Sequence, residues 1–259
     1  MIFERVICGV DATEESLDAA RLAARLATAD GRLVLVAVAE LEVAAQAGFA
    51  ASMVAKELEE EASGALDRAT EAIAGIHAAE RRLLTGPVPA ALESAIADER
   101  ATLIVLGTHG HGRGSGILLA RASTTLLHDA PCSVLIARRP SAPESFPASI
   151  VVGMDGSSEA TAAAAVADEL AGRFGASLRT VVAAGGKGID VDAIRASRSE
   201  IELSERKALD ALLEASGEAD LVIVGNRGRH GLKALGSVSE RLAHQARCSV
   251  LVVRASPDA

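Results

Sequence analysis

Thr102-Leu-Ile-Val-Leu-Gly107, followed by Thr108-His-Gly110, returns later in the chain as Asp220-Leu-Val-Ile-Val-Gly225, followed by Asn226-Arg-Gly228. Each copy passes through a glycine-studded loop and a short helix into a second apolar run. Those runs are Cys132-Ser-Val-Leu-Ile136 and Cys248-Ser-Val-Leu-Val252. A strand that is apolar throughout and ends in a glycine-rich turn opening a helix points unpaired backbone N–H groups outward, a geometry suited to phosphate. Its duplication predicts one domain present twice, with a candidate site in each copy.

Outward from this stretch the halves stay in step. Val6-Ile-Cys-Gly-Val-Asp11 aligns with Ile150-Val-Val-Gly-Met-Asp155. The offset is 144 at these aspartates, 118 at Gly107/Gly225 and 116 at Cys132/Cys248, so the second half is 26 residues shorter in its middle and two shorter in its glycine loop. The first half alternates short apolar runs (Val6–Val10, Leu33–Ala39, a short one at Leu83-Leu84, Leu103–Gly107, Ser133–Ala137) with segments of helical period. The helices are Glu15–Ala29, a long one from Val54 to Ile76, Ala90–Ala97 and one around Ser123–His128. Apolar strands separated by helices predict a parallel sheet covered on both faces. The fold class is α/β, with two tandem doubly wound domains at 1–139 and 148–259. The proline-rich segment 140–147 reads as a stiff linker. In the second half the long helix shrinks to about Val191–Ala196 before Ile201–Leu203, which predicts a poorly covered sheet face available for docking on the other half or another subunit.

Composition bounds the function. The chain has 259 residues and a net charge of −9, which argues against nucleic acid or an anionic membrane surface as partner. No apolar stretch approaches the roughly 18–20 residues of a bilayer span, and the N-terminus runs straight into a strand rather than a signal peptide. Three cysteines without CxxC spacing, all in or beside apolar strands, read as reduced buried thiols in the cytoplasm. Trp and Tyr are absent, so a bound purine would rest on aliphatic side chains and backbone.

Ligands of open parallel sheets sit at the carboxyl ends of strands where the winding reverses. Asp11 and Asp155 end the first strands, and the loops after Gly107 and Gly225 end the fourth. In the second copy, Gly225-x-x-Gly228 leads to Gly236-Ser237 at a helix start, where the macrodipole favours an anion. Arg227, Arg229, His230 and Lys233 between them fit a phosphate-sized partner or a solvated face, and Ser237-Val-Ser-Glu240 is also a capping box. The first copy keeps Gly107 and Gly110 but begins its helix with Ala120-Arg121, so a weakened or empty site is expected there. The aspartates either meet a ribose, base or metal or simply close a turn ahead of Thr13 and Ser157. His109-x-His111 is matched by Arg227 and Arg229, which disfavours a metal pair, and His128 and His244 suit helix C-termini. No nucleophile elbow, Walker lysine or zinc motif occurs, so neither a catalytic residue nor a metal ligand is assigned.

The strand–Gly-x-x-Gly–loop–Gly-Ser–helix–strand arrangement, densest over Gly225–Arg254, resembles the universal stress protein family. Two such domains would cover the chain apart from the linker. The resemblance implies five-stranded parallel sheets of order 3-2-1-4-5 with ATP between the first and fourth strands. It also implies nucleotide-binding roles for Asp155, Ala183, Gly225, Gly228, Gly236, Ser237 and Ser239. The corresponding weaker set is Asp11, Val38, Gly107, Gly110 and Arg121. Departures are a second-half loop two residues shorter than the common spacing, and Ala120-Arg121 in place of Gly-Ser. Pairing of the last strands, common in the family, implies repeats paired within one chain, with a homodimer as a further expectation. The implied function is a cytoplasmic ATP-binding stress-response sensor or regulator, with or without magnesium, rather than an enzyme. A module that binds no nucleotide and a slow ATP hydrolase are the alternatives.

Overall fold

A computed structural model describes residues 3–42, 50–108, 116–185, 189–198, 200–226 and 238–254. The chain divides into two compact units, Met1–Cys132 and Ser133–Ala259. The first contains β1 (Arg5–Gly9), α1 (Glu14–Leu26), β2 (Arg32–Ala39), α2 (Ala51–Ala72), β3 (Ala79–Thr85), α3 (Val88–Glu99), β4 (Leu103–Gly107) and α4 (Gly116–Asp129). Its strands lie in the order β3-β2-β1-β4 and pair in parallel. The second unit contains β5 (Ser133–Ala137), β6 (Ser149–Met154), α5 (Ser158–Phe174), β7 (Ser177–Ala183), α6 (Val191–Ser197), β8 (Glu202–Ser204), α7 (Ala208–Ala215), β9 (Leu221–Gly225), α8 (Val238–Gln245) and β10 (Ser249–Val253). Its order is β5-β10-β9-β6-β7-β8. The second repeat therefore carries the 3-2-1-4-5 order in full, as β8-β7-β6-β9-β10. The first repeat keeps 3-2-1-4 within its own unit.

The fifth strand of the first repeat, β5, belongs to the second unit. There it pairs antiparallel with β10, with Leu135 opposite Leu251. Ser249 Oγ accepts from Arg138 N (3.0 Å), and Ser133 Oγ accepts from Arg254 N (3.2 Å). Equivalent residues thus clasp both ends of the strand pair. The boundary between compact units falls at 132/133, ahead of the repeat boundary at 139, because this ladder ties β5 to β10.

The apolar runs become strands because both their faces are covered. Every residue of β4, β5 and β10 is buried. Helices α1 and α5 pack through small residues: Ala19, Ala20 and Ala23 in one, Ala163 and Ala167 in the other, are all fully buried. Both start at a hydroxyl cap. Thr13 accepts from Ser16 N and Ser157 from Ala160 N, with glutamates in the first turns. β3 is longer than its two leucines suggest. As an edge strand it tolerates Glu80-Arg-Arg82, whose charges are paired: Arg32 with Glu80 (2.7 Å) and Arg82 with Glu99 (3.1 Å).

The predicted bare face of the second repeat is corrected by the structure. α6 is short, yet Ile194 is buried and Thr180–Ala183 of β7 are covered. Arg198 fills much of the missing helix's space, donating to Thr180 Oγ1 (3.2 Å) and Ala164 O (3.2 Å) and pairing with Asp168. At the edge, Leu203 of β8 is 44% accessible. Among the described residues no helix is long and apolar enough to cross a membrane.

Candidate functional site

Strand register brings the candidate residues to one edge. Met154 is opposite Val182 and Val152 opposite Ile223. Continuing each ladder places Asp155 between Ala183 on one side and Gly225-Asn226 on the other. The chain leaves β6 toward β7 on one flank and returns on the other as β9, so this edge is where the winding reverses. In the first unit Gly9 is opposite Val36 and Cys8 opposite Val105, which sets Asp11 between Val38 and Gly107-Thr108 in the same way. Asp155 and Gly225 are half-buried and Ala183 is buried; Asp11 and Val38 are half-buried and Gly107 is buried. Beyond Ala183 the chain is pinned by Ala184 N donating to Ser204 O (2.8 Å). Ser239, in the first turn of α8, is 8% exposed. Gly110, Gly228, Gly236, Ser237 and the side chain of Arg121 lie outside the described residues, as do His109, His111 and the cations 227–233.

Both aspartates close a turn. Asp155 Oδ1 accepts from Ser157 N (3.0 Å) and Ser157 Oγ (2.6 Å), and that hydroxyl accepts from Ala160 N (3.2 Å). Asp11 Oδ1 accepts from Thr13 N (2.9 Å) and from the Thr13 hydroxyl, which accepts from Ser16 N (3.3 Å). The carboxylate charge is thereby coupled through one hydroxyl to the start of the following helix.

Gly107 and Gly225 have a reason the sequence did not disclose. A Cβ on Gly107 would stand 2.7 Å from Glu15 O, and one on Gly225 would overlap the Glu159 carbonyl and reach 2.8 Å from Ala160 N. Each glycine lets the end of a strand touch the first turn of the helix that follows the aspartate. Their absent side chains bring strand end, helix start and carboxylate into one cluster.

The two copies differ at a residue that sequence reasoning passed over. Ser16, buried in α1, donates from Oγ to Asp11 O (2.9 Å) and accepts from Asp11 N (3.2 Å). Its counterpart is Ala160, which has no hydroxyl. The Asp11 turn is therefore braced by a hydroxyl that Ala160 cannot supply at Asp155. The signal was available in the 144-residue offset that aligns the aspartates.

The cysteines are free and buried. Burial pushes the Cys248 thiol up to about 11, with nearby Arg138 opposing, so it is a neutral thiol near neutral pH and a poor nucleophile. Burial, reinforced by Asp11, raises Cys8 as well. His128 and His244 both lie in the last turns of their helices. Among the described residues no group of three or more His, Cys, Asp or Glu side chains gathers as a metal site would require.

The profile of the universal stress protein family matches residues 2–138 and 186–254. A universal stress protein of Mycobacterium tuberculosis is 34% identical over 200 residues, a match spanning 66% of this chain and 66% of that relative's length, just under two thirds. One from Mycolicibacterium smegmatis is 31% identical over 285 residues and covers 96% of both chains. The solved structure of a universal stress protein from Archaeoglobus fulgidus superposes with a TM-score of 0.75 at 18% identity, covering 98% of this chain and 99% of that one. This last likeness is one of fold.

Proposed function

Because the chain belongs to the universal stress protein family, we propose that its second repeat binds ATP at the carboxyl edge of β6 and β9 and that the protein acts as a cytoplasmic sensor or regulator rather than an enzyme. The observation that carries this reading is the register that sets Asp155, Ala183 and Gly225 side by side where the winding reverses. From Gly225 the chain enters the loop holding Gly228, Gly236 and Ser237, whose backbone N–H groups and hydroxyl suit a triphosphate. Asp155 is offered to the ribose or base rather than the phosphates, because Glu159 in the adjoining helix turn repels them. Magnesium, if it takes part, would travel with the triphosphate. A role without turnover is consistent with Asp155, whose Oδ1 is occupied by the Ser157 turn.

The first repeat is read as the weaker partner. Its helix starts without Gly-Ser, and Ser16 locks the Asp11 turn. Binding would act by stabilisation: a ligand at about 100 times its dissociation constant adds about 2.7 kcal/mol to the folded state. The test is direct because the chain has no Trp or Tyr. Co-purified adenine should dominate the ultraviolet spectrum of the protein. Calorimetry with ATP, with and without magnesium, should then saturate at one site per chain and be abolished by Gly228→Val. A bare spectrum together with no heat of binding would refute the assignment, and ADP release lost in Asp155→Asn would replace it with a hydrolase.

A further inference from the structure

At the opposite end of the second unit's sheet, the amino ends of β9 and β10 border a cavity of about 90 Å³ whose lining includes Arg138, Arg139, Arg247, Asp220, Ser216 and Gly217. We propose that this cavity is an anion site for a phosphate-class oxyanion, separate from the nucleotide edge.

Charge is the first argument. Three guanidinium groups meet one carboxylate, in a protein whose net charge is −9. That carboxylate is already engaged: Asp220 Oδ2 accepts from Ala148 N, Ser149 N and Ser149 Oγ, each at 3.0 Å. Several other surface arginines meet acids. Arg81 pairs with Asp67 (2.7 Å), Arg198 with Asp168 and Arg206 with Glu214 (3.0 Å). Among the described residues none of the three cavity arginines makes an ion pair. Clustering them without acids costs repulsion that an anion would relieve.

Preorganisation is the second. Arg138 is held in place, donating from Nη1 to Cys248 O (3.1 Å) and from Nη2 to Ala243 O (2.7 Å), while its backbone is tied on both sides to Ser249 Oγ. Burial lowers its pKa from the ordinary arginine value, a sign that its charge lacks solvent compensation. Arg139 and Arg247 are exposed and able to close over an ion from the solvent side. Size is the third argument: at about 90 Å³ the cavity has room for a tetrahedral oxyanion.

The test is calorimetric titration of the full chain with inorganic phosphate in a phosphate-free buffer. The wild type should saturate at one ion per chain, and Gly228→Val should bind equally. The double variant Arg139→Gln/Arg247→Gln, which leaves the Arg138 hydrogen bonds in place, should keep its circular dichroism and bind at least about tenfold more weakly. A parallel titration with phosphoserine separates the two sources of this chemistry. Tighter binding than phosphate assigns a phosphoryl group carried on a larger molecule; equal or weaker binding assigns the free ion. Unsaturable heats, equal binding by the double variant, or loss of binding in Gly228→Val would each overturn the proposal.

Discussion

Gly225 shows how much one missing methyl group can organise. A side chain there would collide with the Glu159 carbonyl, and that backbone has little room to retreat because Ser157 and Asp155 fix the same turn. Gly225→Ala is therefore expected to destabilise by about 1–3 kcal/mol through overpacking, measured by urea unfolding, before any ligand is added. Removing the cap with Ser157→Ala should cost about 1 kcal/mol. Cys248 supplies a pH test. Its thiol is raised from 9.0 to about 11 in the folded protein, so the folded state holds its proton more tightly than the unfolded chain. That stability is complete below pH 9 and is lost as pH climbs toward 11, on the order of 2–3 kcal/mol. Cys248→Ala should flatten part of the alkaline decline, leaving the share due to Cys8. A decline of unchanged steepness would disprove the linkage.

At the scale of elements, what the sequence revealed and what it hid divide along a physical line. The run Leu103–Gly107 was legible as a strand because a two-face-covered strand needs apolar residues at every position, and such a run is visible without tertiary knowledge. The aspartate turns were legible too, since Asp11-x-Thr13 and Asp155-x-Ser157 carry their partners two residues on. The demand for glycine at 225 was not, because the colliding carbonyl comes from residue 159 on a different element. Nor was the cover of β7 by Arg198, a charged residue standing where an apolar helix was missed. Strand β5 is legible in extent from its apolar run, but its hydrogen-bonding partner β10 lies in the other repeat. A fragment of residues 148–259, which lacks β5, exposes the edge of β10 and should self-associate in light scattering. Monomeric behaviour of that fragment would count against this role for β5.

For the molecule as a whole, two copies of one architecture carry unequal chemistry. The repeats share register, turn-closing aspartates and close-approach glycines, yet one has Ser16 and Ala120-Arg121 where the other has Ala160 and Gly236-Ser237. Sharing the first set maintains the fold twice, while the second set is where the proposed nucleotide site of one repeat departs from the other. Saturation at two nucleotides per chain, rather than one, would show that this asymmetry has no bearing on affinity. Ser16→Ala offers the reverse test: it should loosen the first repeat by about 1–2 kcal/mol without creating a second calorimetric site.

The ladder between Leu135 and Leu251 has a last consequence. Covalent continuity through residues 140–147 is not what keeps β5 beside β10; hydrogen bonds and buried strand faces do that. A protease that cuts this segment should leave a protein that travels as one species through a sizing column and separates into two bands only in detergent.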